Sequence, residues 1–346
     1  MENYQIPIEN IYYMLCYSWG YLKEKNLVDI KNIKKKTLPN IFAKVLSNSL
    51  NFLIKKGFDR EYIIKNEEIS NLRGNICINE SLKNFTHLKG KMICEFDELD
   101  YNILQNQIIK TTLKKLILSK LLENEIKNEL IKIYQHFNEI DVVEINEEVF
   151  KKIKIHKNNY YYGFIINVCK LINKNLIPTE EKGASKFKDF FRDEKEMAYV
   201  FENFVRNFYK HEQNKYKVAR EDIKWNIKII EGNQNLLPKM QTDISLINKE
   251  KKIVIDTKYY KQALKENFNS KKFNSNNLYQ IFSYLSNLER NENKQMIGIL
   301  IYPQVKDSID FSGQINDFEI KVKTLNLNQN WGNIEKRLLE IIEISN

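Results

Sequence analysis

The sequence has few of the residues that build elaborate turns, with 10 glycines and 5 prolines among 346 residues. This scarcity favours long regular helices and strands joined by simple connections. Hydrophobic residues make up 42% of the chain and aromatic residues 12%, which excludes extensive disorder. The chain is too long for one small core, so we expect two domains.

Cysteine is also scarce. The four cysteines are scattered without a C-x-x-C pair, and the four histidines are not spaced with them as zinc ligands would be. We therefore expect free thiols in a reducing compartment and no zinc site. The residues concerned are Cys16, Cys77, Cys94, Cys169, His87, His136, His156 and His211.

Long apolar runs and targeting signals are missing. No run approaches membrane-spanning length, and the N-terminus lacks the layout of a signal peptide, so we expect a soluble, cytoplasmic protein without a membrane partner. There is no G-x-x-x-x-G-K-[ST] loop, so we expect the chain to bind no nucleotide itself. The net charge of +10 permits nucleic-acid binding but does not establish it, because lysine is abundant throughout the chain.

Hydrophobic periodicity divides the chain into three parts. Residues 1–172 form an α+β N-terminal region, with predicted helices at 8–20, 38–56, 102–122, 124–137 and 158–173 and strand-like runs between 60 and 98. Residues 173–192, which contain Pro178 and Gly183, are the predicted linker. In 193–346 we expect helices at 194–212, 276–288 and 333–344 and strands at 223–230, 238–247, 252–258, 296–303 and 318–327. This order predicts an α/β domain with a central mixed sheet flanked by helices, as in small nuclease cores.

The triplet Asp256-Thr257-Lys258 follows an apolar run at 252–255. Such a run indicates a strand buried on both faces, and a carboxylate at its end is costly unless it coordinates or pairs with another group. Asp243 lies in the preceding strand-like run, and the polar turn 248–251 joins the two runs into a hairpin. Folding the hairpin brings Asp243 towards Asp256.

Two converging carboxylates offer the oxygen ligands that Mg²⁺ prefers. The ion would activate a water and neutralise charge on a scissile phosphate. Lys258 shares a strand face with Asp256 and would stabilise the attacking hydroxide or the developing negative charge. The alternative is a cross-strand Asp–Lys salt bridge without catalytic function.

Two other Asp-x-Lys triplets begin at Asp29 and Asp193. Both lie in polar surroundings typical of helix starts, so helix capping explains them. The triplet alone is therefore a weak signal, and the strand before Asp256 is what distinguishes it.

Further candidate supporting residues flank the hairpin. Glu202 borders the apolar face of the predicted helix 194–212 and is either a third carboxylate of the metal site or a solvated rim residue. Gln280 and Tyr284 lie four residues apart on one helix face. The Lys/Asn/Ser-rich segment 261–276 either follows a phosphate backbone or is a solvated loop.

The order of Glu202, Asp243, Asp256-Thr257-Lys258, Gln280 and Tyr284 resembles the PD-(D/E)XK nucleases. More narrowly, the chain resembles the McrC family, the nuclease subunits of McrBC modification-dependent restriction systems. The resemblance runs nearly end to end, and its most specific part is the N-terminal stretch IPIENIYYMLCYSW, at 6–19. One departure is that Thr242, not proline, precedes Asp243.

The resemblance implies a Mg²⁺-dependent endonuclease acting on double-stranded DNA, with Asp243, Asp256 and Lys258 as catalytic residues. One or two ions would be held by Asp243, Asp256 and the backbone carbonyl of Thr257, with Glu202 as a further candidate ligand. It also implies a partner, an McrB-like AAA+ GTPase ring that recognises modified cytosine. The N-terminal region would bind that ring and stimulate its GTP hydrolysis.

Two alternatives remain open. One is a non-catalytic adaptor that only activates the motor, which the joint presence of Asp243, Asp256 and Lys258 disfavours. The other is a stand-alone defence or repair nuclease, which the long N-terminal region without a catalytic pattern disfavours.

Overall fold

The chain divides by its internal contacts into two units. Unit 1 comprises residues 1–26 and 189–346, and unit 2 comprises residues 27–188. The fold is taken from a computed structural model. It describes residues 6–22, 37–156, 159–178, 185–187, 193–259, 264–267, 270–288, 294–305 and 308–343.

The described residues form both helices and strands. The α-helices are α1 (Ile8–Trp19), α2 (Leu38–Lys56), α3 (Ile78–Lys83), α4 (Leu104–Leu118), α5 (Asn124–Tyr134), α6 (Glu147–Lys151), α7 (Tyr160–Asn175), α8 (Glu194–Glu212), α9 (Ser275–Asn287) and α10 (Trp331–Ile342). The strands are β1 (Glu61–Ile69), β2 (Asn75–Ile76), β3 (Met92–Asp100), β4 (Leu176–Pro178), β5 (Ser185–Phe187), β6 (Lys217–Ala219), β7 (Asp222–Ile223), β8 (Met240–Gln241), β9 (Ile244–Ile247), β10 (Lys251–Thr257), β11 (Leu264–Asn267), β12 (Ser270–Phe273), β13 (Gln295–Pro303), β14 (Asp310–Ile315) and β15 (Phe318–Leu325). No described helix has both the length and the apolar character needed to cross a membrane.

Unit 2 combines helices with a small antiparallel sheet. Its sheet has the strand order β1-β3-β2. Helices α2, α4, α5 and α7 supply a core that includes the fully buried Leu46, Ile109, Leu130 and Phe164. The sheet is much less covered than the helices, since Tyr62 and Ile64 on β1 are largely exposed. Unit 2 is therefore an α+β region, as the sequence predicts.

Unit 1 is built on a mixed six-stranded sheet with the order β14-β15-β13-β10-β9-β6. The neighbours β10, β13 and β15 run parallel, whereas β9, β6 and β14 pair antiparallel to their neighbours. Strands β10 and β13 are apolar and almost entirely buried, as central parallel strands are expected to be.

Helix α9 packs closely against this sheet. Ile281 and Leu285 of α9 share a buried cluster with Val254 and Leu300. Gly298 permits the approach, because a Cβ at this position would lie 2.7 Å from Ile281 Cγ1 and 2.9 Å from Leu285 Cδ1. A larger residue at this position would force Ile281 and Leu285 of α9 to shift.

The first helix groups by its contacts with unit 1, whereas the sequence-based division placed it in the N-terminal region 1–172. The ring of Tyr17 on α1 lies 5.7 Å from the rings of Phe204 and Phe208 on α8. It also stacks on Trp331 at 5.7 Å. The apolar face of α1 is therefore buried against α8 and Trp331, within unit 1.

The predicted elements agree with most of the structure. The helix predicted at 194–212 has those bounds in α8, and α1, α2, α7 and α9 begin and end within two residues of their predicted limits. The strand predicted at 223–230 is wrong beyond Ile223, because β7 pairs only with the two-residue β8. The strand predicted at 238–247 is interrupted at Asp243, between β8 and β9.

The predicted linker 173–192 is described only in part. Helix α7 runs to Asn175, and β4 pairs antiparallel with β5. Residues 179–184 and 188–192 lie outside the described residues. The boundary between the two units falls at 188/189, inside the predicted segment.

Candidate active site

Two acidic residues face each other where β9 begins and β10 ends. The antiparallel register of these strands pairs Ile244 with Ile255. Asp243 immediately precedes Ile244 and Asp256 immediately follows Ile255, so both carboxylates lie at the same end of this strand pair. Like charges in this position destabilise a sheet unless a cation or proton compensates them. The hairpin therefore places Asp243 within electrostatic reach of Asp256.

Asp256 is completely buried. Its Oδ1 receives no hydrogen bond from the described residues, and Lys258 Nζ lies 2.9 Å from Oδ2 in an ion pair. Burial, and then the charge of Asp243, raise the pKa of Asp256 to about 7, while Lys258 opposes the rise. Such a carboxylate is poised to bind a cation.

Asp243 is held by the backbone that follows Asp256. The N–H of Thr257 donates to Asp243 Oδ2 at 2.9 Å, and the Thr257 hydroxyl donates to the same oxygen at 3.2 Å. These bonds fix the Asp243 carboxylate at the end of β10. Its position is therefore set by the strand that carries Asp256.

Thr242 anchors the chain just before Asp243. Its backbone N–H donates to Glu221 O at 2.9 Å, and its hydroxyl accepts from Glu221 N at 3.0 Å. The hydroxyl also lies 3.1 Å from Ser245 Oγ within the protein interior. Proline at this position would remove the first bond, because proline has no N–H.

Lys258 follows the last residue of β10. Its backbone N–H donates to Ile301 O at 3.0 Å, which extends the pairing with β13 by one residue. The ion pair therefore joins two residues of one chain segment, Asp256 and Lys258. The Asp–Lys pair that the sequence raised as an alternative to catalysis is formed here within one segment.

Glu202 lies near Asp243, and its carboxylate is paired with Arg206 and Arg220. Its Oε1 accepts a hydrogen bond from Arg206 Nη1 at 2.8 Å and lies 3.6 Å from Arg220 Nη2. Burial and the nearby charge of Asp243 raise the pKa of Glu202, and the two arginines lower it. Within the described residues, no three acidic, histidine or cysteine side chains converge as a ready metal cage.

Gln280 and Tyr284 lie on α9 and contact each other near the acidic pair Asp243 and Asp256. Gln280 Nε2 donates to Tyr284 Oη at 2.6 Å. Burial raises the pKa of Tyr284, and the charges of Asp256 and Asp243 add to the rise. The tyrosine therefore lies within electrostatic reach of the acidic pair.

Other predicted features have simpler explanations. Asp193 caps α8, since its side chain accepts from the N–H groups of Lys195 and Glu196. Asn274 caps α9 in the same way. Asp29, Lys31 and Lys261 lie outside the described residues. The four cysteines are free thiols, as predicted.

Sequence reasoning missed two residues near the site, Arg206 and Arg220, and noted Thr242 only as a departure from the nuclease pattern. Arg206 was within reach of prediction, because Glu202 and Arg206 are four residues apart on one helix. Arg220 was not, because its approach to Glu202 depends on the pairing of β6 with β9.

Comparison with known proteins places the chain in a family. The family model described as McrBC 5-methylcytosine restriction system component matches residues 5–303. The Type IV methyl-directed restriction enzyme EcoKMcrBC of Escherichia coli strain K12 is 36% identical over 344 residues, which are 99% of this chain and 99% of that protein.

One solved structure shows a related fold. A refined half-complex from a tetradecameric assembly of Thermococcus gammatolerans McrB AAA+ hexamers with bound McrC contains a chain with a TM-score of 0.60 and 16% identity. The match covers 97% of this chain and 76% of that chain. The cryo-EM structure of the Thermococcus gammatolerans McrBC complex matches 61% of this chain and 60% of that chain, with 20% identity and a TM-score of 0.45.

The fold and the site define an α/β protein whose mixed six-stranded sheet carries two opposed acidic residues at the end of a central strand. The chain belongs to the McrBC 5-methylcytosine restriction system component family. The predicted resemblance to McrC-type subunits is thereby confirmed.

Proposed function

We propose that this chain is the DNA-cutting subunit of a GTP-driven restriction complex. Unit 1 would be a PD-(D/E)XK nuclease domain that hydrolyses phosphodiester bonds of double-stranded DNA with Mg²⁺, using Asp243, Asp256 and Lys258. The observation that carries the proposal is Asp256, a fully buried carboxylate that is paired with Lys258 and lies within reach of the charge of a second carboxylate, Asp243.

The residues present fit a magnesium ion. Mg²⁺ in phosphoryl-transfer sites is typically bound by one or two carboxylates and completes its shell with waters and substrate phosphate. Asp243 and Asp256 supply two carboxylates, and the backbone carbonyl of Thr257 supplies a third oxygen ligand in this proposal. A cage of three acidic side chains is therefore not required. When bound, the ion would lower the pKa of a water and neutralise charge on the scissile phosphate.

The protein groups around the ion have separate tasks. Thr257 orients the Asp243 carboxylate through its N–H and hydroxyl, so that both carboxylates keep their separation before metal arrives. The Lys258 ammonium, 2.9 Å from Asp256 Oδ2, would stabilise negative charge on the attacking hydroxide or the phosphorane. The hydrogen-bonded Gln280 and Tyr284 would be supporting residues of the catalytic site.

A purely structural ion pair explains this arrangement poorly. Burying Asp256 beside Asp243 raises the pKa of Asp256 to about 7, which means that the folded protein destabilises its charged form. An ion pair selected for stability would not oppose a second carboxylate. A cation-binding role accounts for both carboxylates.

We further propose that an McrB-like AAA+ GTPase is the partner and that modified cytosine is recognised by it. The related archaeal chain comes from an assembly of McrB AAA+ hexamers with bound McrC, and the bacterial relative is named a methyl-directed restriction enzyme. We propose that unit 2 binds the partner, and its apolar side chains Tyr62, Phe85 and Leu88, which are 75%, 64% and 76% exposed, are candidates for that contact.

The proposal is tested with the purified chain and its AAA+ partner on methylated and unmethylated duplex DNA. We expect cleavage of the methylated duplex only when GTP and Mg²⁺ are both present, together with faster GTP hydrolysis by the partner. Stimulated GTP hydrolysis without cleavage would instead identify a non-catalytic adaptor. Cleavage by the chain without its partner would identify a stand-alone nuclease.

A further inference from the structure

Glu202, Arg206 and Arg220 form a charged cluster beside the acidic pair. We infer that Arg220 binds a DNA phosphate next to the scissile bond, and that Glu202 is a positioning residue that holds the two arginines rather than a metal ligand. The inference rests on the proposed function, because it takes the bound anion to be the DNA backbone.

Glu202 is already matched in charge by the arginines. Its Oε1 is the acceptor for Arg206 Nη1 at 2.8 Å and lies 3.6 Å from Arg220 Nη2. A metal ion at the same oxygen would have to displace or repel both guanidinium groups. Asp256, in contrast, is paired through Oδ2 with the single ammonium of Lys258 at 2.9 Å, and its Oδ1 receives no hydrogen bond from the described residues. The ion therefore belongs with Asp243 and Asp256.

The two arginines differ in how firmly they are held. Arg206 is 20% exposed, approaches Asp243 O at 3.5 Å through Nη1, and pairs with Asn203 Oδ1 through Nη2. Arg220 is 47% exposed and approaches Glu202 at the longer distance. Arg206 is thus part of the scaffold, whereas Arg220 can turn towards an incoming anion.

The backbone keeps Arg220 beside the acidic pair. The next residue, Glu221, exchanges hydrogen bonds with Thr242, the residue before Asp243. Arg220 and Asp243 are consequently fixed with respect to each other by a pair of bonds of 2.9 and 3.0 Å. Movement of the guanidinium group is left to the side chain alone.

A cation in addition to Mg²⁺ and Lys258 would favour the approach of the DNA backbone to this acidic region. The DNA backbone must approach Asp243, Asp256 and Glu202, all of which can repel it. A guanidinium group binds phosphate with two parallel hydrogen bonds and keeps its charge at every physiological pH. Arg220 supplies such a group at the exposed side of the cluster, and Glu202 keeps it there before DNA arrives.

The test compares Arg220→Gln, Arg220→Lys and Glu202→Gln in the full-length chain with its AAA+ partner, GTP and methylated duplex DNA. Lys336→Gln, an exposed α10 residue, is the control for loss of one positive charge. We expect Arg220→Gln to raise the DNA concentration for half-maximal cleavage about tenfold, with a smaller effect on the maximal rate. The logarithmic salt dependence of DNA affinity should weaken by about 0.9, the value of one phosphate contact.

Glu202→Gln separates positioning from metal binding. We expect it to reproduce the Arg220→Gln defect, to add little to it in the double variant, and to leave the Mg²⁺ concentration for half-maximal cleavage unchanged. Arg220→Lys should recover part of the DNA affinity. A large increase in the Mg²⁺ requirement of Glu202→Gln would overturn its positioning role, and unchanged DNA affinity of Arg220→Gln would overturn the phosphate contact.

Direct DNA binding keeps the two proposals distinguishable. The affinity of the wild-type and Arg220→Gln proteins for the same duplex is measured in parallel with cleavage. If the wild-type protein binds but does not cut DNA, the proposed nuclease function fails, while the affinity difference still decides the role of Arg220.

Discussion

Thr242 stands where the simplest form of the nuclease pattern has proline, and the structure gives the reason. The Thr242 N–H and hydroxyl both bond to Glu221, and the hydroxyl also meets Ser245 in the interior. Proline would leave Glu221 O without this donor. The departure from the pattern is therefore a local solution that ties β9 to the segment after β6.

Replacing Thr242 by valine keeps the shape and removes the hydroxyl. The Glu221 N–H would lose its acceptor inside the protein, so we expect a loss of about 1–3 kcal/mol in the free energy of unfolding, measured by urea denaturation. Thr242→Ser keeps the oxygen and should recover most of the loss. Equal destabilisation by valine and serine would show that the methyl group, not the hydroxyl, matters.

The pKa of Asp256 gives stability a pH dependence of definite sign. An unfolded aspartate titrates near 3.8, whereas Asp256 in the fold titrates at about 7. Between these values the folded protein retains a proton that the unfolded chain has lost, so the stability that this group contributes is lost as pH rises. Asp256→Asn removes this titration.

In metal-free buffer we therefore expect the melting temperature of Asp256→Asn to exceed that of the wild type at about pH 8, with the difference shrinking towards about pH 5. Added Mg²⁺ should stabilise the wild type more at the higher pH, because the ion binds the deprotonated carboxylate. A difference that grows on acidification would contradict the raised pKa of Asp256.

At the scale of elements, helix α1 shows how much a local pattern can predict. Its period and the following Gly20 are sufficient to predict the helix and its end, since Gly20 adopts φ +77° and closes the last turn. Its location is not predictable in this way. The contacts of Tyr17 with Phe204 and Trp331 join residues far apart in the sequence.

Asn10 provides a test of this placement. Its Nδ2 donates to Leu327 O at 2.8 Å and to Gln329 O at 2.7 Å. We expect Asn10→Ala to lower the free energy of unfolding by about 1–3 kcal/mol, because two carbonyls lose their donor. Asn333→Ala, at an exposed position of α10, should have little effect. Equal effects of the two substitutions in thermal denaturation would argue against the packing of α1 in unit 1.

Strand pairing limited the rest of the prediction. Strands β10 and β13 were predictable because their apolar runs indicate burial, and the triplet Asp256-Thr257-Lys258 marks the end of β10. Strands β6 and β14 are short or largely exposed and depend on partners elsewhere in the chain. The carboxylate pair was therefore accessible from one hairpin, whereas Arg220 needed the complete sheet.

At the scale of the whole molecule, the site depends on both ends of the chain. Unit 1 contains residues 1–26 as well as 189–346. Removing everything before residue 170 would uncover Phe204, Phe208 and Trp331, which pack against Tyr17. With such a truncation, a loss of partner binding could not be distinguished from a loss of folding of unit 1.

Internal excision separates the two effects. We expect a protein in which a flexible linker of about 20 residues replaces 27–188 to unfold cooperatively but to stimulate no GTP hydrolysis by the partner. Deletion of residues 1–26 alone should reduce the melting temperature or the soluble yield. Retained stimulation after excision of 27–188 would contradict the assignment of partner binding to unit 2.

Cleavage by Asp256→Asn is the most direct test of the proposed function. The variant is assayed with the AAA+ partner, GTP, Mg²⁺ and methylated duplex DNA, and GTP hydrolysis is followed in the same reactions. We predict that cleavage falls below detection while stimulation of GTP hydrolysis stays at the wild-type level. Cleavage at the wild-type rate would contradict the assignment of Asp243, Asp256 and Lys258 as the catalytic centre.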